Sequence, residues 1–254
     1  MNTQPSLTLV ILTKNSASQL KNILPEYAPH NDQLILLDDS STDTIKELAQ
    51  VHQAELVSHR LQKDFAAHRN AVFSKVSSEW TLFLDADEYA PPAFWQELKT
   101  YLSQDTIDAI SISRLDTFLG KTLHYGESGT NSFVRCARTE ISKNRWERAV
   151  HEIWNVPTHR IAHLNTPIEH CQNDTVTSYL NKLHWYASLE ATARTRYAQS
   201  QIFFELLTYP VAKFCKNFIV KQGWRDGFHG LIHALLMSYH SLITRVYLYE
   251  EWHT

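Results

Sequence analysis

A chain of 254 residues with 24 Lys and Arg against 27 Asp and Glu has a formal charge of -3, which excludes the global basic field of a nucleic-acid binder and suits one large α/β domain with a helical appendage. Its three cysteines, Cys136, Cys171 and Cys215, are widely spaced with no C-x-x-C pair, so a disulfide framework and a zinc knuckle are excluded and a reducing compartment fits best. The opening MNTQPSLTLVILTKN lacks a basic region before its apolar run, and no stretch reaches the roughly 18 uncharged apolar residues of a spanning helix, so a cytoplasmic protein is expected, peripheral at most to a membrane.

From Leu7 to Ser113 short apolar runs alternate with helical periodicity, the pattern of a parallel sheet covered by helices. Strands are predicted at Leu7 to Leu12, Leu34 to Leu37, Glu55 to Ser58, Trp80 to Leu84 and Ala109 to Ser113. Between them, Ile45, Leu48 and Ala49 share a helix face, as do Ala67, Ala71, Val72 and Val76, and then Phe94, Trp95, Leu98 and Leu102. The fold class is therefore α/β, a Rossmann-like, mostly parallel sheet with helices on both faces. From Arg114 to about Thr177 the periodicity fades among Gly120, Gly126, Gly129, Pro157 and Pro167, which predicts loops and a few strands where an acceptor binds. From Ser178 the pattern is helical to the end, a C-terminal extension of three helices with breaks at Pro210 and in GWRDGFHG.

Three polar motifs interrupt these elements. In TLFLDADEY a buried strand ends on Asp85 and Asp87, two hard carboxylates at the edge where ligands of open α/β sheets bind. Such a pair suits Mg²⁺ or Mn²⁺ holding a diphosphate, although an acidic turn capping the next helix has the same composition. In LILLDDSSTDTIKEL, Asp38, Asp39 and Asp43 follow another buried strand, and carboxylates there accept a uracil imide N–H or hold ribose hydroxyls. The alternative is that Ser41 or Thr42 caps a helix starting near Asp43. In FAAHRNAVF, Arg69 and Asn70 break an apolar helix, and the arginine serves either a diphosphate or a solvated face.

In this order the motifs resemble glycosyltransferase family 2: ILTKN with Thr13 and Asn15, DDSSTD from Asp38 to Asp43, AHRN from Ala67 to Asn70, and DAD from Asp85 to Asp87. The resemblance implies a GT-A fold, a nucleoside-diphosphate sugar donor such as a UDP-sugar, a divalent cation, and inversion at the anomeric carbon. It assigns Thr13, Asn15, Asp38, Asp39, Asp43, Arg69 and Asp85 to the donor, and Asp85 and Asp87 to the metal; His151, directly before Glu152, is placed by its position to reach the metal or the diphosphate and is a further metal candidate. Further along, RWERAVHE (Arg145 to Glu152), SYLNKLHWYASLEA (Ser178 to Ala191) and the tail resemble bacterial lipopolysaccharide core glycosyltransferases that add β-glucose to an inner-core heptose. The expected division is a GT-A domain over 1–177, with a nucleotide-sugar half to 113 and an acceptor-side region after it, then a helical extension over 178–254.

Inversion needs a base for the acceptor hydroxyl, and Glu152 in AVHEI is the candidate, with Asp116 in reserve. The alternative for His151 and Glu152 is a surface pair bridging to Arg145 or Arg148. Neither G-x-G-x-x-G nor a P-loop occurs among six glycines, which sets aside dinucleotide dehydrogenases and NTPases. A sugar-phosphate nucleotidyltransferase lacks its glycine-rich basic loop in LTKNSAS. A non-catalytic, membrane-associated sugar-nucleotide-binding protein has no need of both Asp85 and Asp87. The tail mixes Lys213, Lys216, Lys221, Arg225 and Arg245 with aromatic and aliphatic residues. Two readings stay open for it, packing on the GT-A domain or contact with the inner face of the cytoplasmic membrane, where a lipid-linked acceptor is found.

Overall fold

The computed structural model describes residues 5–129, 131–149, 152–171, 175–193, 199–251 and 253. In chain order the elements are β1 (Leu7–Thr13), α1 (Ala17–Tyr27), β2 (Gln33–Asp38), α2 (Ile45–Val51), β3 (Glu55–Ser58), α3 (Phe65–Asn70), β4 (Trp80–Asp85), β5 (Glu88–Tyr89), α4 (Pro92–Leu102) and β6 (Ala109–Phe118). Then follow β7 (Lys121–Thr122), β8 (Asn131–Arg138), α5 (Thr139–Ser142), β9 (Trp146–Glu147), β10 (Ile153–Trp154), β11 (Ile161–His170), α6 (Val176–Ala193), α7 (Gln199–Cys215) and α8 (Phe228–Glu251). The chain divides into two compact units, residues 1–113 with 132–170, and 114–131 with 171–254.

The first unit is built on a sheet of order β3-β2-β1-β4-β8-β6-β11-β5. Strands β1, β2, β3 and β4 are parallel neighbours, while β8 runs antiparallel to β4 and β5 antiparallel to β11. Both faces of the central strands are covered, which is why β1 and β4 read as continuous apolar runs. Alternation then divides the side chains between two cores. Leu7, Leu9 and Ile11 join Leu82 and Leu84 beneath Leu20, Leu24, Phe94 and Leu98. Val10, Ile35, Leu37 and Phe83 point the other way, onto Phe73, Trp146 and Trp154. At about 25 cal/mol per Å² of apolar area, such enclosed side chains each contribute roughly 1.5 to 3 kcal/mol.

All five predicted strands are present, with β6 continuing five residues further to Phe118. The third helix differs from its expected face. It lasts only from Phe65 to Asn70 before tightening into a 3₁₀ turn, and it buries Ala66, His68 and Arg69 while Ala67 is exposed. A short helix can turn a polar edge inward when those groups find partners, and here they do.

In the second unit, Phe118, Tyr179 and His233 form an aromatic cluster. Asp226 accepts the N–H groups of His124 and Tyr125 at 3.1 and 2.9 Å, tying the 114–131 segment to the C-terminal helices. Pro210 does not break the tail as expected, because α7 runs through it to Cys215 and passes into a π turn over Lys216–Val220. The break at GWRDGFHG is present as a 3₁₀ turn, Gly223–Asp226, ahead of α8. Gly230 is required there, since a Cβ on it would collide with the carbonyl of Gly223. Among the described residues no helix is long and apolar enough to cross a membrane.

Candidate active site

The C-terminal ends of β1 and β2 carry the first two motifs, stitched together by side chains. Thr13 Oγ1 donates to Asp38 Oδ1 at 3.2 Å, and both oxygens of Asp38 accept the N–H of Ser41. Asn15 sits at φ 52°, and its Oδ1 accepts the Thr42 N–H at 2.8 Å while its own N–H donates to Ser41 Oγ. A left-handed Asn beside a strand end is a backbone state held by such bonds. Asp43 accepts from Ala17 N at 2.7 Å and so caps α1. Ser41 and Thr42 do not cap α2, whose N-cap is Thr44 without a side-chain bond. Asp39 is 7% exposed, and its two oxygens take the Leu61 N–H and the Lys14 ammonium. Burial pushes its carboxyl up, but those two donors outweigh burial and hold it below the usual range.

The AHRN helix organises the far side. His68 lies against His59, ring nitrogen to ring nitrogen at 3.3 Å, and burial with the neighbouring His59 lowers it to about 4. Asn70 clamps the backbone of Trp146, donating to its carbonyl at 2.9 Å and accepting its N–H at 3.1 Å. Trp146 pairs with Trp154 across the β9–β10 hairpin, and the two rings stack at 5.1 Å with Phe83 edge-on to both. That aromatic anchor sets the hairpin carrying Glu152.

Arg69 is 2% exposed and lies 4.7 Å over the Trp146 ring. Its Nε and Nη2 donate to Glu152 Oε1 at 3.1 and 3.0 Å, and Nη2 also reaches Asp85 Oδ1 at 3.0 Å. A second buried guanidinium, Arg135 on β8, approaches Asp85 Oδ2 at 3.5 Å and Glu88 Oε1 at 3.3 Å. Burial opposes its charge, but Glu88, Asp85 and Glu152 outweigh it and keep Arg135 protonated above the ordinary range. Glu88 also accepts the Asp85 N–H at 2.9 Å, which shapes the turn.

Asp85 and Asp87 separate here. The strand ends at Asp85, so strand alternation no longer carries Asp87 to the same partners, and its Oδ2 meets His170 Nε2 at 3.1 Å at the end of β11. This carboxylate oxygen and imidazole nitrogen are the pair that would hold a divalent cation, an O,N set that fits Mn²⁺ better than the all-oxygen preference of Mg²⁺. Among the described residues no group of three or more His, Cys, Asp or Glu side chains is placed for a metal. His151 lies outside the described residues. Asp116, in the second unit, is paired with Arg114 at 3.0 Å.

The model of the family described as Glycosyl transferase family 2 matches residues 8–179. This chain is a family 2 glycosyltransferase. An uncharacterized glycosyltransferase of Rickettsia felis is 20% identical over 251 residues, 92% of this chain and 86% of that protein. A TPR repeat-containing protein of Synechococcus elongatus is 30% identical over 115 residues, and there the glycosyltransferase spans only 28% of the relative's length. Among solved structures, glucosyl-3-phosphoglycerate synthase from Mycobacterium tuberculosis, in complex with Mn²⁺, UDP-glucose and phosphoglyceric acid, aligns over 74% of this chain and 78% of that one with TM-score 0.54 and 16% identity. Staphylococcus aureus TarS 1–349 aligns over 98% of this chain and 91% of that one with TM-score 0.51 and 11% identity. These likenesses show the GT-A fold.

Four residues that the structure brings beside the motif side chains escape a motif reading: Lys14, Glu88, Arg135 and His170. Glu88 directly follows the D-x-D, and Lys14 stands inside ILTKN. Arg135 and His170 lie in or end strands that mix exposed polar with buried apolar residues, so no local pattern marks them.

Proposed function

We propose that the enzyme transfers a sugar, glucose in the first instance, from a UDP-sugar to a heptose of lipopolysaccharide core or a related lipid-linked bacterial saccharide, inverting the anomeric carbon. The observation carrying this reading is that one guanidinium, Arg69, joins Glu152 to Asp85 at the sheet edge. A base and a donor-side carboxylate are thereby held in one frame, which displacement at a sugar carbon requires.

Asp39 and the Asn15–Thr42 turn face the nucleoside in this reading. Each Asp39 oxygen already accepts one bond and keeps a lone pair for a uracil or ribose donor. Asp87 and His170 are the residues that would hold a divalent cation, which would offset the charge developing on the leaving diphosphate. Glu152 accepts from Arg69 through Oε1 alone, leaving Oε2 to take the acceptor hydroxyl's proton. The acceptor oxygen then bonds to the anomeric carbon as the carbon–oxygen bond to the diphosphate breaks and UDP departs. Arg69 keeps Glu152 oriented while that proton moves. The bound UDP-glucose and Mn²⁺ of the M. tuberculosis synthase support the donor and cation. The resemblance of Arg145 to Glu152 and of the tail supports the acceptor.

The test is UDP release with a panel of UDP-sugars against heptose-terminated core lipopolysaccharide, followed by NMR of the product. A β-linked hexose on heptose is expected. Release that depends on a donor other than a UDP-sugar, or a product of retained configuration, overturns the reading.

A further inference from the structure

The second unit exposes an apolar surface that its own core leaves uncovered. On α7, Phe203, Phe204, Leu207 and Val211 fall within an arc of about 100° at helical spacing, and they are 62% to 69% exposed. After the helix, Val220, Trp224 and Phe228 are 74%, 56% and 71% exposed. The inward side of α7 is already satisfied: Glu205 pairs with Arg245 at 3.2 Å, and Ser238 Oγ donates to the Pro210 carbonyl at 2.7 Å.

Charge on the same stretch is sorted by direction. Its two acids, Glu205 and Asp226, are both turned inward, the second 3% exposed beneath the His124 and Tyr125 N–H groups. Lys216 and Arg225 are exposed, interleaved with the apolar side chains. The outward face is therefore aromatic, aliphatic and cationic, without an outward acid.

We infer that this surface, from Phe203 to Phe228, docks on an anionic lipid bilayer. Phe203, Phe204, Leu207, Val220 and Phe228 enter the headgroup boundary, Trp224 lies at it, and Lys216 and Arg225 meet lipid phosphates. With no helix among the described residues able to span, attachment is in the plane of the interface, reversible and weakened by salt. A second copy of the chain fits less well. A two-fold contact would set the cationic face against itself with no outward acid to pair it. The lipid-linked acceptor proposed above gives docking a purpose, but the inference rests on this surface alone.

Flotation of the full chain with phosphatidylcholine vesicles, with and without phosphatidylglycerol, tests it. Flotation is expected only with the anionic lipid at low salt, and release at high salt. Phe204→Asp with Val220→Asp should weaken partitioning at least about tenfold, since two apolar anchors are lost. Val51→Asp, at an exposed apolar site of the first unit, should float as the wild type does. Circular dichroism confirms that each variant is folded, and sedimentation reports its oligomeric state. Absence of flotation at low salt, equal flotation of the double variant, or a wild-type dimer that the double variant dissolves overturns the inference. Transfer to a delipidated, soluble core oligosaccharide, measured in parallel, separates failure of docking from failure of the proposed reaction.

Discussion

Arg69 donates twice to a single oxygen of Glu152, through Nε at 3.1 Å and Nη2 at 3.0 Å, while the same Nη2 holds Asp85. The other carboxylate oxygen of Glu152 takes no part in this fork. The candidate base is therefore oriented by a residue 83 positions away in sequence, and that residue is itself fixed by burial and by the Trp146 ring.

Glu152→Gln separates orientation from basicity. The amide oxygen can still accept from Arg69, so donor binding should be near normal while kcat falls at least roughly a hundredfold, the usual scale of general-base catalysis. Titration with UDP-sugar beside steady-state kinetics checks both halves. Near-normal kcat would transfer the role to Asp116 or another acid.

Arg69→Lys keeps the charge but loses the fork, because one ammonium does not reproduce a planar guanidinium spanning two carboxylates. Turnover should drop while the fold persists. Arg69→Ala should in addition destabilise the protein by about 3 kcal/mol, the lower end for removing one partner of a buried ion pair, since Glu152 and Asp85 keep side-chain exposures of 18% and 27%. Urea unfolding of the two variants tells them apart. Equal stability of Arg69→Ala and wild type would show that the network does not support the fold.

Asp87→Ala and His170→Ala should each lower activity by orders of magnitude and raise the Mn²⁺ concentration needed for half-maximal rate. Mn²⁺ binding in the presence of UDP, followed by electron paramagnetic resonance, gives a readout besides turnover. Unchanged Mn²⁺ binding in both variants, or full wild-type activity in excess chelator, would remove the pair from the metal site.

His68 makes stability pH-dependent. Its folded-state pKa, about 4, is depressed from 6.5 by burial and by His59, so between those values the unfolded chain binds more protons than the folded one. Stability therefore falls as pH drops from about 6.5 towards 4, by roughly 3 kcal/mol in all. His68→Asn, which keeps a polar partner for His59, should flatten urea midpoints measured across that window. An unchanged slope would place the acid sensitivity elsewhere.

Periodicity and motif order in the sequence determined the parallel half of the sheet, its two helix-covered faces and the edge where the acids gather. Those are local properties, since alternation and apolar runs are written within each strand. The same local signal went astray over residues 65–76, where His68, Arg69 and Asn70 turn inward because their partners arrive from β4, the loop after β3 and the β9–β10 hairpin. It failed likewise at Pro210, where packing along α8 carries α7 through a residue that usually ends a helix. Tertiary structure alone decided that Asp85 and Asp87 part company, that Arg135 and His170 join them, and that Glu152 leans on Arg69. Each of those contacts joins residues 16 to 83 positions apart, and no period or spacing records a distance that exists only once strands have been ordered into a sheet.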